Sequence, residues 1–371
     1  MPKVRVSALR FSSLLANRNL TPSDVEIRAK TTVSPDELST KDLDVEFDDL
    51  VMLAKLFKRP WSYLLVDEAE HRPDAGEDHR TFANQEAMLS AEILLELQAA
   101  GLMLDASAEL FPDATFNVPI VTGKDVPAAR LAPEMRAFLG VSIEDQLAIK
   151  DEFAALRRWI AAIHAQGVYV SQRRLKDPTI RAFSKVRDGQ ALIVVDTGDT
   201  AYARIFSILH EFCHVTLRST GICDLDDQTS IERYCNAVAA EVLLPDELLD
   251  QMVVAGAFAG SEEAADEALK SLSRQLHVSQ AALLIRLRDY GTISQNTYEQ
   301  IEVRRAARRG GGKRSGGRYY PSAINRVGRL FAHRVVDAVS EGTIDRQDAS
   351  VLLGIGEHIV DTFTSKLVKG D

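Results

Sequence analysis

The chain has 371 residues, 46% of them hydrophobic and 26% charged, which suits a soluble globular protein of roughly two to three domains. A formal charge of −10 argues against a surface that binds nucleic acid throughout, and no apolar run reaches the roughly 18 residues that a membrane span requires. Cys213, Cys223 and Cys235 form an odd set in a long chain, which favours a reducing cytosol over a disulfide framework. The opening residues MPKVRVSALRFSSLLANRN lack the apolar core and cleavage site of a secretory signal, so a cytoplasmic location is expected.

Residues 1–70 read as short helices, with Thr21, Ser23 and Ser34 as N-caps, closed by the segment KRPWSYLL. This order resembles the Xre-type helix-turn-helix domain of phage-repressor-like proteins. The resemblance implies DNA reading through a recognition helix within residues 34–46. That stretch, SPDELSTKDLDVE, carries Asp36, Glu37, Asp42, Asp44 and Glu46 against Lys41 alone, the wrong sign for a phosphate-facing surface. A protein-contact or dimerisation module, compatible with a homodimer, is therefore the alternative to DNA binding. Leu50, Leu53, Leu56, Phe57 and Trp61 are spaced to pack a bundle or a partner.

A polar connector, HRPDAGEDHRTF (71–82), leads into helical patterns over 84–104, around 128–140 and over 142–167. The character changes at Gly167. VYVSQRR, TIRAFSKV and QALIVVDTG are β-rich runs parted by turn residues and read as a small antiparallel sheet. Helices resume after Pro245 and continue to about residue 300. Between Arg304 and Arg318 come seven basic residues, five glycines and no acid, which reads first as a solvated linker and second as a contact for an acidic partner. Residues 321–371 form a last helical segment.

The chemistry concentrates in AYARIFSILHEFCHVTLR (201–218). Its apolar positions recur at helical spacing, and it contains neither Gly nor Pro. His210 and His214, four apart, lie about 40° from each other on one helix face, so both imidazoles can reach one ion. Glu211 projects beside them, placed to contact a metal-bound water without ligating. H-E-x-x-H by itself is a weak signal. A hydrolytic zinc site also needs a third protein ligand and an open position. Candidates follow in Asp224, Asp226, Asp227, Glu232 and Glu241. Glu232 also fits a capping box with Thr229, and it lies about 180° around a helix from Glu241, so the two cannot serve together. Cys213, between the histidines, reads as a small buried hydrophobe or as a redox-sensitive thiol.

HEFCH, followed by IERYCNAVAAEVLLP, resembles the ImmA/IrrE family of zinc metallopeptidases, whose pattern is H-E-x-x-H and then E-x-x-A/C-N-x-x-A-x-x-L-x-P. The likeness reaches upstream through DHRTF, the Trp159 helix and GVYV, and covers most of residues 75–300. Cys235 and Glu241 depart from the commoner Ala. The resemblance implies Zn²⁺ held by His210, His214 and Glu232, with Glu211 as the catalytic base and Asn236 orienting ligands from behind. Tyr202, Arg204, Tyr234 and His164 remain open as oxyanion donors.

The expected fold class is α+β and mainly helical. It comprises a helix-turn-helix bundle (1–70), a zincin-like metallopeptidase domain (75–300; helical lead-in 83–165, sheet and zinc site 166–250), a basic Gly-rich linker (301–320) and a C-terminal helical segment (321–371). The function the resemblance implies is zinc-dependent endoproteolysis of a specific repressor or partner protein encoded nearby, controlling stress, mobile-element or toxin–antitoxin genes. The alternative is an antitoxin-like or transcriptional regulator that binds a protein or DNA without efficient proteolysis.

Overall fold

The computed structural model describes residues 3–17, 20–29, 31–57, 64–65, 90–118, 126–177, 180–217, 221–224, 230–253, 256, 258, 260–307 and 319–369. Most of KRPWSYLL including Trp61, all of DHRTF, Asp226, Asp227 and Thr229, and the core of the basic stretch lie outside them. The chain is mainly helical with two small sheets and divides into two compact units, Met1–Met88 and Leu89–Asp371. No helix among the described residues is long and apolar enough to cross a membrane.

In the first unit, β1 (Lys3–Val6) pairs antiparallel with β2 (Leu43–Glu46), and α1 (Ala8–Asn17), α2 (Pro22–Ala29), α3 (Pro35–Leu38) and α4 (Phe47–Phe57) pack around them. Phe11, Leu14, Val25, Leu38, Val45, Leu50, Leu53 and Phe57 are buried together, with Phe11 edge-on to Phe57 at 5.6 Å. Ser34 caps α3 as its sequence suggests, accepting from Glu37 N. Thr21 and Asp24 exchange hydrogen bonds at the start of α2. Ser23 lies inside α2 and is not its cap.

The acidic stretch 34–46 departs from expectation. It forms one helical turn and then a strand, so it offers no recognition helix. Alternation explains this: Val45 turns into the core while Asp44 and Glu46 do not. Asp42 is also engaged locally, accepting from Ala8 N at 2.9 Å at the start of α1 and lying 3.8 Å from Arg5.

The second unit is built on a four-stranded sheet in the order β3-β5-β4-β6. Its strands are β3 (Tyr169–Arg173), β4 (Ile180–Arg187), β5 (Gln190–Asp196) and β6 (Gly221–Asp224). β5 is antiparallel to β4, and β4 to β6, while β3 runs parallel to β5. The β4–β5 hairpin turns on Asp188 and Gly189, both at positive φ (48° and 74°), the conformation a two-residue hairpin loop favours. Every residue of β5 is buried, as its unbroken apolar run requires.

Helix α5 (Ala91–Leu110) packs on β4 and β5, and α6 (Ala128–Leu139), α7 (Ile143–Leu147) and α8 (Glu152–His164) follow it in sequence. The pattern over 142–167 is two helices, because Asp151 accepts from Phe153 N and Ala154 N and so starts α8 afresh.

Two helices flank β6 in the chain: α9 (Ala201–Thr216) before it and α10 (Ser230–Leu243) after it. Beyond them come α11 (Asp246–Met252), α12 (Glu262–Gln275), α13 (Gln280–Asp289) and α14 (Gln295–Ala307). The last group is α15 (Tyr319–Val327), α16 (Arg329–Ser340), α17 (Arg346–Leu353) and α18 (Val360–Lys369). α15 and α16 belong to the same unit and pack on β3. There Gly328, at φ 85°, approaches the Val170 carbonyl too closely for any Cβ.

Candidate metal centre

Helix α9 starts at Thr200, whose hydroxyl accepts from Ala203 N. Ile205, Ile208, Leu209, Phe212 and Val215 seat it against the sheet and α8, all at most 1% exposed. The same packing carries His210, Glu211 and His214 out of solvent, at 5%, 0% and 1% exposure. Helix α10 lies along α9 and brings Glu232, in its first turn, to the two imidazoles.

The geometry is tight. His210 Nε2 is 3.0 Å from Glu232 Oε2, His214 Nε2 is 3.1 Å from Glu232 Oε1, and the two Nε2 atoms are 3.2 Å apart. One ligand atom from each residue lies within 4.8 Å of the others, and among the described residues this is the group that could hold a metal ion. Two imidazole nitrogens so close repel through their lone pairs unless a cation, either a proton or a metal, lies between them.

The electrostatics carry the same message. Burial pushes Glu232 upward, but hydrogen bonds from His210 and His214, and the charge of both, outweigh it and hold the carboxyl at about 2. Burial works against a charged His214, yet its bond to Glu232 and the nearby Glu211 carboxylate leave it raised. The site is built to keep a carboxylate ionised beside positive charge.

Glu211 differs from its neighbours. It is fully buried, and neither carboxylate oxygen has a hydrogen-bond partner among the described residues. A carboxylate left so would cost several kcal/mol. Two imidazoles and a carboxylate suit zinc, and a metal-bound water would give Glu211 a partner. The residues present fit the ion.

The other candidates have the following surroundings. Tyr234 OH donates to Val126 O at 2.8 Å, and Arg204 Nη1 donates to Gln172 Oε1 at 2.7 Å. Tyr202 stacks obliquely on His277, and His164 adjoins Val170, Arg329, His333 and Arg334. Glu241 is half-buried and outside the triad, and Asn236 is exposed, one turn beyond Glu232 on α10. Cys213 and Cys235 form no disulfide and are fully buried in the core. Asp224 ends β6.

No curated protein sequence matches the chain. Residues 163–288, about a third of its length, match the IrrE N-terminal-like domain of M78 peptidases. That span runs from the end of α8 into α13 and holds both helices of the His-His-Glu cluster. The chain therefore contains an IrrE/M78 peptidase-family domain.

Proposed function

We propose that the protein is a zinc-dependent endopeptidase with His210, His214 and Glu232 as metal ligands and Glu211 as general base. The observation that carries this is the buried, unpartnered Glu211 carboxylate beside a closed His-His-Glu cluster. A purely structural metal site has no use for that carboxylate.

Bound zinc would supply Lewis acidity and bring a water toward ionisation near neutral pH. The protein does the rest. His210 and His214 hold their Nε2 atoms toward one point from successive turns of α9. Glu232, kept ionised by both, completes the donor set from α10. Glu211 takes the proton of the attacking water on its carboxylate and passes it to the leaving amine. The low-dielectric surroundings strengthen each of these electrostatic contacts.

The substrate proposed is a specific protein, a repressor or partner encoded nearby, cut in an extended segment. In support, β6 ends the sheet, and among the described residues no strand pairs with its outer side. Such an edge accepts an extended peptide through main-chain hydrogen bonds. The first unit, with its acidic exposed residues, is proposed to contact that partner and not DNA.

The deciding experiment sets wild type beside Glu211→Gln with the partner encoded in the neighbouring gene. Lost cleavage with retained zinc is expected. Equal cleavage by both proteins would refute the catalytic role of Glu211. No cleavage by either, with tight binding by both, would favour the antitoxin-like binding protein.

A further inference from the structure

Pro245 ends the Glu232 helix in a particular way. A helix leaves its last carbonyls without intrahelical donors, and Pro245, which cannot continue α10, ends it at that point. Three buried side chains from three other elements supply them. Arg136, on α6, donates through Nη1 to Val242 O at 2.6 Å. Gln146, on α7, donates through Nε2 to Leu243 O at 3.2 Å and to Leu276 O at 2.6 Å. Arg286, on α13, donates through Nε to Leu244 O at 3.1 Å and pairs with Asp246.

The three grips are themselves joined and enclosed. Arg136 also donates to Gln146 Oε1 at 2.9 Å and to Ser142 O at 2.8 Å, and its guanidinium lies over the Trp159 ring. Arg136, Gln146 and Arg286 are only 7%, 0% and 8% exposed. Burial pulls Arg136 down to about 10, a measure of how far its charge has left water. Core packing alone would not demand two buried arginines, since apolar residues fill such space at lower cost.

We infer that Arg136, Gln146 and Arg286 form a clamp on the C-terminal end of α10 and are positioning residues for the metal ligand Glu232. The inference rests on the metal-site reading above. Successive helical carbonyls sit about 100° apart around the axis, so holding Val242 O and Leu243 O, with Leu244 O just past the last turn, fixes the rotation of the helix about its own axis. A carboxylate roughly 6–7 Å from that axis moves about 1 Å for a rotation of about 10°. A metal site tolerates only about 0.2 Å. Packing against α9 limits the separation of the helices, and the clamp sets their rotation. Arg136 and Gln146 lie before residue 163, so the lead-in helices are part of the working site and not a separate appendage. Positive groups at a helix C-terminus also complement its dipole.

The test uses the full-length chain, with cobalt(II) as a spectroscopic probe in place of zinc. Arg136→Met should remain folded, bind cobalt at least tenfold more weakly and show altered visible bands. In metal-free protein, hydrogen exchange over residues 230–236 should speed up. Arg136→Lys, which restores one donor and the charge, should recover part of both losses. Arg158→Met is the control. Arg158 ties Gly140 to Asp145 beside the same helices without bonding α10, and its loss should leave the cobalt site unchanged. A folded Arg136→Met with wild-type cobalt affinity, bands and exchange would overturn the clamp, as would an equal loss in the control. Should Arg136→Met fail to fold, Gln146→Leu and Arg136→Lys decide on the same readouts. Failure of the wild type to bind cobalt would count against the metal-site reading, and exchange in the metal-free chain would then judge the clamp alone.

Discussion

The metal cluster of the second unit and the acidic stretch of the first treat charge in opposite ways. In the second, His210, Glu211, His214 and Glu232 are taken almost wholly out of water, and three of them converge on one point. In the acidic stretch of the first, Asp36, Glu37, Asp44 and Glu46 stay exposed, Glu37 lies 3.4 Å from Lys41, and Asp42 accepts a hydrogen bond at the start of α1. Removing ionisable groups from water is costly unless each finds a partner, whereas leaving them solvated costs almost nothing. The buried set, converging on one point, is therefore the candidate for a function. The exposed set sets only the sign of a surface.

The strongest way to break this contrast is at Glu211. Glu211→Gln keeps shape and burial but removes the proposed base, so cleavage should fall by about 100-fold to 10,000-fold with zinc content unchanged. Parallel peptidase and metal assays check both halves. A variant that loses its zinc would mean that Glu211 serves the ion directly.

Next in size is the choice of third ligand. Glu232→Ala should weaken zinc binding by more than about 100-fold, beyond what loss of a supporting residue costs. Glu241→Ala should change it little, because Glu241 lies outside the cluster. Competition with a chelator gives both affinities. Comparable losses would place the metal on the other face of α10.

How much of this was legible in the sequence follows from the range of the forces involved. The strand runs of β4 and β5 and the motif helix were readable because β-rich runs bounded by turn residues and helical periodicity are local signals. The pair His210 and His214 was readable because its geometry lies within one turn. The choice of Glu232 needed the family resemblance, since it depends on how α10 packs on α9. The parallel pairing of β3 with β5 was not legible, as two separated runs look alike in either direction. The strand within 34–46 was also missed, because four residues give too little alternation to outweigh an expected helix. Nothing in the local pattern at Arg136 marked it, as its partners lie as far away as Val242.

A third prediction asks whether burial of an imidazole outside the cluster behaves differently. Burial, opposed by a hydrogen bond to Val170 but aided by Arg329, His333 and Arg334, pulls His164 down to about 4 from an ordinary 6.5. The unfolded chain therefore binds more protons between those values. Stability due to His164 is complete above about pH 6.5 and is lost as pH falls toward 4. At pH 4.5 the loss should reach at most about 2–3 kcal/mol. Urea unfolding of wild type and His164→Gln at pH 7 and 4.5 reads it. The variant should lose less stability than wild type over that interval, and an equal loss would assign the pH dependence to other groups.

The smallest effects belong to the first unit, and they test the other half of the contrast. Asp42 accepts from Ala8 N at 2.9 Å, a donor at the start of α1 that the helix itself cannot satisfy. Asp42→Ala should therefore cost about 1 kcal/mol, the usual value of such a cap. Glu46 is exposed at the end of β2, so Glu46→Gln should stay within about 0.5 kcal/mol. Denaturant midpoints for the two variants, followed by a probe of the first unit, separate the cases. The Glu46 change would still act on association, because it removes one negative charge from a surface that repels phosphate. If the first unit contacts a protein partner, Glu46→Gln should alter the association rate and its salt dependence while leaving stability alone. A loss near 1 kcal/mol at Glu46 would show that its charge serves the fold, and the acidic stretch would then carry no message about partners.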